Sequence, residues 1–313
     1  KVISKRNKMK ELWVEKYRPK TVSEYVFKDE TQKRLINGWV NDKSIPHLLF
    51  AGSAGTGKTT LAKVLINDLD IQPADVLLIN ASRTNSVDDV RDKIVSFVQT
   101  IPWGDFKVVL LDEADYLSPN AQAALRGVME EYHSVARFIL TCNYDNKIIP
   151  AIKSRCQVFQ IQKQDESEFF NRMVTILDSE GVEYDPYLLG TYVVATQPDM
   201  RKTINNLQAN SMDNKLSAVD EDSQDDSAWL IKMVDLFKSG NIREARKLII
   251  ANARPDEYES IYRKMYENLD WFGDTPDQQD NAVIAIRNGL VKHLSVADVE
   301  INLSATLIEL QMI

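Results

Sequence analysis

Residues 47–60 read HLLFAGSAGTGKTT: a short apolar run, a loop with glycines at 52, 55 and 57, and then Lys58, Thr59 and Thr60 opening the amphipathic stretch LAKVLINDL. The loop matches G-x-x-x-x-G-K-[ST], and it stands between an expected strand and an expected helix, as that pattern requires. Gly52, Gly55 and Gly57 let backbone N–H groups wrap phosphates with no Cβ in the way. The helix N-terminus adds the positive end of its dipole. Lys58 is expected to neutralise β- and γ-phosphate charge, and the Thr59 hydroxyl to be a Mg²⁺ ligand. Gly52, Ser53, Ala54, Gly55, Thr56, Gly57, Lys58, Thr59 and Thr60 are therefore the expected ATP-binding segment. A glycine-rich turn without nucleotide is the plainer alternative, and the strand before and helix after argue against it.

On either side of this loop, apolar runs alternate with helical patterns: HLLFA (47–51), VLLIN (76–80), KVVLLD (107–112), RFILTC (137–142) and QVFQI (157–161). Near-continuous β-branched and Leu-rich strands separated by helices point to a parallel sheet covered on both faces. The expected core is a doubly wound, five-stranded α/β sheet. The run VVLLDEAD (108–115) ends a strand in carboxylates at the carboxyl edge of the sheet, where open α/β folds bind ligands. Asp112 is expected to reach the magnesium through water, and Glu113 to polarise the attacking water. RFILTCN ends another strand with Thr141 and Asn143; an Asn there orients the water or senses the γ-phosphate, or simply serves the turn. Arg155, in SRC (154–156), is left open between a solvated charge and an arginine lent to a neighbouring subunit's phosphoryl transfer.

The bulk composition agrees with a globular protein: 313 residues, 44% hydrophobic and 27% charged, a length that suits two or three domains. The net charge of −8 argues against a surface coated in positive charge for nucleic acid. Residues 1–20 nevertheless hold eight Lys or Arg against Glu11 and Glu15. The two cysteines, Cys142 and Cys156, have no metal spacing and suit a reducing compartment. There is no apolar run long enough to span a bilayer and no signal-peptide pattern, so a cytoplasmic protein is expected. The chain begins at Lys1 rather than Met, which leaves its native N-terminus open. After about residue 163 no further strand is expected. Helical patterns at 165–180, 185–196 and 199–210 lead to the acidic run SAVDEDSQDDSA (217–228), read as a solvated linker, and then to more helices. The expected domains are 1–163 for the ATPase core, 164–216 for a helical lid, 217–228 for the linker and 229–313 for a C-terminal helical domain.

In this order and spacing the elements resemble the AAA+ family, and within it the clamp-loader subunits of the replication factor C small-subunit type. The carrying stretches are WVEKYRPKTVSEYV (13–26), the phosphate loop, LLINAS (77–82), VVLLDEADYLSPNAQAALRGVMEEY, RFILTCNYDNKIIPAIKSRC and DMRKTINNLQ (199–208), together about two-thirds of the chain. The resemblance implies that Tyr17, Arg18, Pro19 and Val26 frame the adenine. It implies that Arg155 acts in trans on a neighbour's ATP and that Arg201 contacts phosphate on its own. It further implies a five-membered ring with a collar of C-terminal helices, whose partners are other loader subunits, a sliding clamp and primer–template DNA. ATP binding would open and load the clamp, and hydrolysis would release it. The family's Pro-Pro is here Ser53-Ala54. Its Asp-Glu-Arg-Gly after NAS is here Arg83-Thr84-Asn85-Ser86, with Asn85 at the place of a basic residue that couples DNA to the catalytic Glu. The divergent C-terminal region and short acidic linker resemble T4-like bacteriophage loaders.

DNA contacts are expected at two helix starts, through backbone N–H groups and short polar side chains that follow phosphates rather than bases. The candidates are Arg83, Thr84, Asn85 and Ser86 before one helix, and Ser118, Asn120 and Gln122 at another; ordinary helix capping is the competing role. Clamp contact is expected at VQTIPWGDF (98–106) with Trp103, against plain packing of a loop Trp. The competing functions are an AAA+ DNA motor such as a branch-migration helicase and a ring subunit without hydrolysis. Against the first stands the lack of a winged-helix pattern after residue 210; against the second stand Lys58, Thr59, Asp112 and Glu113.

Overall fold

Five runs rich in Leu, Ile, Val and Phe form the strands Leu48–Ala51 (β1), Val76–Asn80 (β2), Lys107–Asp112 (β3), Ala136–Cys142 (β4) and Gln157–Gln160 (β5). In the computed structural model, which describes residues 11–83, 87–218, 228–293 and 295–313, they pair in parallel in the order β2-β3-β4-β1-β5. Each falls within one residue of its expected bounds. The helices of the first part of the chain are Trp13–Lys16 (α1), Glu30–Asn41 (α2), Lys58–Asp68 (α3), Val87–Val98 (α4), Pro119–Glu131 (α5), Pro150–Lys153 (α6) and Glu166–Glu180 (α7). Then follow Pro186–Thr196 (α8), Met200–Ala209 (α9), Ala228–Lys238 (α10), Ile242–Asn252 (α11), Tyr258–Glu267 (α12), Pro276–His293 (α13) and Val299–Gln311 (α14).

Successive residues of a strand face opposite sides, and the core divides accordingly. Leu48 and Phe50 join Ile36, Leu61 and Leu65 of α2 and α3 on one face. Leu49 and Ala51 join Ile94, Leu125 and Met129 of α4 and α5 on the other. A buried side chain of this size contributes about 1.5–3 kcal/mol, so the two layers hold the sheet from both sides. The edge strands are less covered: Leu78 of β2 is 57% exposed and Val158 of β5 is 39% exposed. Ala51 lies opposite Cys142 and Asn80 opposite Asp112, so the strands end level. This register brings the phosphate loop, Asp112–Glu113 and Asn143 to one edge.

By contact the chain divides into Lys1–Val182 with Gln197–Ala209, and Glu183–Thr196 with Asn210–Ile313. This cuts across the expected segments: α7 and α9 group with the sheet, whereas α8 groups with the C-terminal helices. Most of the acidic run, residues 219–227, lies outside the described residues. In the first unit, Asp165 caps α7 by accepting from Glu168 N at 2.9 Å, and Gly181 ends it at φ 67°.

The second unit holds two short strands, against the expectation of none after residue 163. Ser211–Met212 (β6) and Lys215–Leu216 (β7) pair antiparallel around Asp213 and Asn214, at φ 52° and 59°. Asp and Asn tolerate this left-handed turn, and strands this short carry no readable alternation. Phe237 of α10 stacks on Trp271 at 5.1 Å between centroids. Asn302 of α14 ties α13 to α12, donating to Gly289 O at 2.8 Å and to the Tyr262 hydroxyl at 3.0 Å.

Candidate nucleotide-binding and hydrolysis site

The phosphate loop leaves β1 and turns directly into α3, so Lys58 sits at a helix start with its ammonium folded back over the loop. It donates to Gly52 O at 2.7 Å, Ser53 O at 2.6 Å and Asn143 Oδ1 at 2.9 Å. All three acceptors are uncharged, and Lys58 is only 7% exposed. Burial, the largest influence, pulls its pKa below the ordinary lysine value; Cys142, Asp115 and Asp112 partly offset this, and the Arg201 charge adds to it. A buried cation whose direct hydrogen-bond acceptors are all neutral favours an incoming polyphosphate. Gly55 has φ 75°, and a Cβ there would lie 1.9 Å from Asp199 Oδ1. Asp199 in turn caps α9, accepting from Lys202 N at 2.9 Å. The loop therefore packs against the start of the helix that carries Arg201.

At the end of β3, Asp112 Oδ1 accepts from two hydroxyls, Thr59 Oγ1 and Thr141 Oγ1, each at 2.6 Å. Glu113 follows in the left-handed region at φ 58°, a conformation that costs a non-glycine residue on the order of 1–3 kcal/mol. Asp115 is 7% exposed; its Oδ2 accepts from the backbone N–H groups of Asn143 and Tyr144, both at 3.3 Å. That fixes the chain where Asn143 meets Lys58. The hydroxyl of Thr59 beside the carboxylate of Asp112 is a hard-oxygen pair that fits Mg²⁺, which takes one or two carboxylates plus substrate phosphates and water. Among the described residues no three His, Cys, Asp or Glu cluster as a metal cage, so nucleotide and water would complete such a site.

One pocket gathers most of the expected residues. Tyr17, Arg18, Pro19, Val26, Ala54, Gly55, Thr56, Gly57, Lys58, Thr59, Thr60, Asp112, Glu113, Asn143 and Arg201 all line it. Gly52 and Ser53 take part through the carbonyls that hold Lys58. Its N-terminal wall is fastened to α7: the Tyr17 hydroxyl donates to Glu180 Oε1 at 2.7 Å, and Arg172 donates to Tyr17 O at 2.8 Å. Burial, followed by the bond to Glu180, pushes the Tyr17 phenol above its ordinary value. Val14, Tyr25, Thr141, Gln164, Met200 and Ile204 also line the pocket. Tyr25 and Gln164 both donate to Thr56 O, at 3.4 and 2.9 Å, and so brace the loop. Tyr25 lay within a quoted motif, whereas Gln164 carried no signal, because a lone Gln after a strand has no pattern.

Other expected residues lie elsewhere. Arg155 is not among those lining the pocket; it is exposed, pairs with Glu130 through Nη2 and donates to Ala151 O at 2.6 Å. Gln122, expected as a DNA contact, is corrected by its burial at 2% exposure. Its amide donates to Leu117 O and Lys147 O at 3.1 and 3.0 Å and accepts from Ile149 N at 2.8 Å. It ties α5 to the segment before α6 and presents nothing to DNA. Ser118 and Asn120 are exposed at the start of α5, where the Ser118 hydroxyl accepts from Ala121 N at 3.2 Å. Arg83 is exposed, and Thr84, Asn85 and Ser86 lie outside the described residues. Ile101 and Trp103 are 89% and 84% exposed on a loop pinned from beneath. The buried carboxylate of Asp75 accepts from Trp103 N and Gly104 N, both at 2.8 Å. The Lys107 ammonium donates to Phe97 O at 2.7 Å.

Comparison with known proteins places these features in context. Residues 48–164 match the model of "ATPase family associated with various cellular activities (AAA)". The chain is 38% identical over 267 residues to a replication factor C small subunit of Methanococcus maripaludis, covering 84% of this chain and 81% of that protein. It is 41% identical to the replication factor C small subunit of Archaeoglobus fulgidus over 253 residues, with 76% and 77% covered. The corresponding protein of Sulfolobus acidocaldarius is 44% identical over 244 residues, with 77% and 72% covered. Among solved structures, the Thermotoga maritima RuvB Holliday junction branch migration motor matches with a TM-score of 0.54 at 15% identity, over 75% of this chain and 79% of that one. At that identity the likeness concerns the fold alone.

Proposed function

We propose that this chain, which belongs to the replication factor C small-subunit family of AAA ATPases, is an ATP-hydrolysing subunit of a sliding-clamp loader in DNA replication. ATP binding would open the clamp and seat it on primer–template DNA, and hydrolysis would release it. The observation that carries the mechanism is the split between Glu113, which lines the pocket, and Arg155, which does not. A site with its water-activating carboxylate in one chain and its arginine exposed elsewhere on that chain is completed by a second subunit.

In this reading Lys58 exchanges its neutral loop acceptors for β- and γ-phosphate oxygens, and Arg201 contacts the phosphates from α9. Thr59 and Asp112 would hold Mg²⁺, which would offset phosphate charge when bound. Glu113 polarises the attacking water and Asn143 orients it, while Tyr17, Arg18, Pro19 and Val26 frame the adenine. Arg155 of one subunit reaches the ATP of the next, so hydrolysis is timed by assembly. The exposed Ile101–Trp103 loop is read as the clamp contact. Arg83, Thr84, Asn85, Ser86, Ser118 and Asn120 are read as following the DNA backbone. Five subunits would form the ring, with the helices of 229–313 as its collar, 164–216 as the lid and 217–228 as the linker. Within the family, the divergent C-terminal helices and short acidic run favour the large subunit of a T4-like bacteriophage loader, working in the host cytoplasm. Among the described residues no helix is long and apolar enough to cross a membrane.

The test is steady-state ATP hydrolysis by the chain with its partner subunit, adding clamp and primed DNA separately and together. Synergistic stimulation that disappears in Arg155→Ala supports the reading. Stimulation by DNA alone, indifferent to clamp, would favour a DNA motor instead.

A further inference from the structure

We propose that Thr141 is a positioning residue for ATP hydrolysis, whose single hydroxyl sets the Asp112 carboxylate and the Glu113 backbone at the same time. The inference rests on the reading of Asp112 and Glu113 given above and adds what holds them there. The β3–β4 ladder ends at Leu111 opposite Leu140, so Asp112 and Glu113 lie beyond the last backbone pair on that side. The Thr141 side chain takes over where the ladder stops. Its Oγ1 donates to Asp112 Oδ1 at 2.6 Å and accepts from Glu113 N at 3.0 Å. A hydroxyl has one proton and two lone pairs, and an ionised carboxylate only accepts, so the direction of both bonds is fixed.

Two features make this hydroxyl more than a packing detail. Glu113 has φ 58°, and the bond from its N–H to Thr141 is what ties that left-handed turn to the neighbouring strand. The other hydroxyl on Asp112 Oδ1 belongs to Thr59, itself a candidate metal ligand, whereas the two bonds of the Thr141 hydroxyl both run to the Asp112–Glu113 turn. Thr141 is 1% exposed, so its hydroxyl makes these bonds with little competition from water. Replacing it by Val preserves shape while leaving the Glu113 N–H without an acceptor. Asp112 then keeps only Thr59 on Oδ1 and the Glu113 turn loses its tie to β4, so the carboxylates drift from a geometry that a small misplacement already spoils.

The experiment compares full-length Thr141→Val, Thr141→Ser and Glu113→Gln with the parent chain, alone and with partner subunits. Thr141→Val should lower kcat on the order of 10- to 100-fold, with KM for ATP changed less than about threefold. Thr141→Ser should recover to within about threefold of the parent. Binding of a fluorescent ATP analogue provides a readout independent of turnover. Without Mg²⁺ the affinity of Thr141→Val should match the parent, and the Mg²⁺ needed for half-maximal tightening should rise several-fold through the loosened Asp112. If Thr141→Val does not fold, Thr141→Cys, a poor donor of similar size, takes its place. Parent-like kcat in the hydroxyl-free variant overturns the inference. So does a Thr141→Ser that fails as badly as Val, since packing would then be responsible. An active Glu113→Gln sinks the underlying site reading, whereas an inactive Glu113→Gln beside a normal Thr141→Val sinks only the role given to Thr141.

Discussion

Substituting Gly52 by Ala should damage both the fold and the site, and the structure gives the size of the effect. A Cβ at position 52 would lie 2.0 Å from Ile161 O and 3.0 Å from Ile161 C, both backbone atoms just beyond β5. Carbon–oxygen contacts begin near about 3.3 Å, so loop and strand would have to separate by roughly 1.3 Å. The bond from Ile161 N to Ala51 O, now 2.7 Å, cannot survive that separation and contributes about 1 kcal/mol. Residual overpacking adds about 1–3 kcal/mol. The total of about 2–4 kcal/mol corresponds, for a unit of this size, to a melting temperature lower by roughly 5–15 °C. Because Gly52 O also accepts from Lys58 Nζ at 2.7 Å, the same shift displaces the lysine. Nucleotide affinity should therefore fall on the order of 10-fold or more. Thermal unfolding followed by circular dichroism, with fluorescent-nucleotide titration, measures both effects. An alanine variant that melts and binds like the parent would refute the argument, because the clashing atoms of Ile161 are backbone and no flexible side chain stands there to give way.

Three further outcomes are expected. His47 Nδ1 accepts from Phe138 N at 3.1 Å, and burial, with the charges of Arg137 and His133, lowers its pKa to about 4. The unfolded chain therefore binds this proton first. Stability should be lost as pH falls from about 6.5 toward 4, and the slope of the urea midpoint against pH should shrink in His47→Asn, which keeps an acceptor. Burial pushes both thiols up to about 12, so at pH 8 only on the order of one in 10⁴ is thiolate. Alkylation of Cys142 and Cys156 by iodoacetamide should be far slower in the native chain than in urea; equal rates would contradict the burial of Cys142 and the partial burial of Cys156. Finally, Trp103→Ala should cut clamp stimulation of hydrolysis by about 10-fold or more while leaving nucleotide affinity unchanged. Asp75→Ala should reproduce the defect by releasing the loop and should speed hydrogen exchange at Trp103 and Gly104; an unchanged response to clamp in both variants would remove this loop from the clamp interface.

The sequence alone determined the sheet and the chemical edge of the site, because both depend on short-range patterns. Short apolar runs rich in Val, Ile, Leu and Phe and separated by helical patterns favour strands of a parallel sheet, and a glycine loop between strand and helix has few uses other than phosphate. Lys58, Thr59, Asp112 and Glu113 were legible for that reason, as were the helix starts at Asp165 and Asp199. Tertiary structure decided what lies far apart in the chain. Asp115 reaching the Asn143 backbone, Thr141 bridging Asp112 and Glu113, and Gln164 bracing Thr56 depend on strand order and register, which no local pattern specifies. Gln122 shows the same limit from the other side. Its place near a helix start suggested an exposed polar residue, yet three backbone partners draw it inside, two of them 25 and 27 residues away. A polar side chain is exposed or buried according to whether the fold supplies partners for its donors and acceptors, and those partners exist only once the chain has closed on itself.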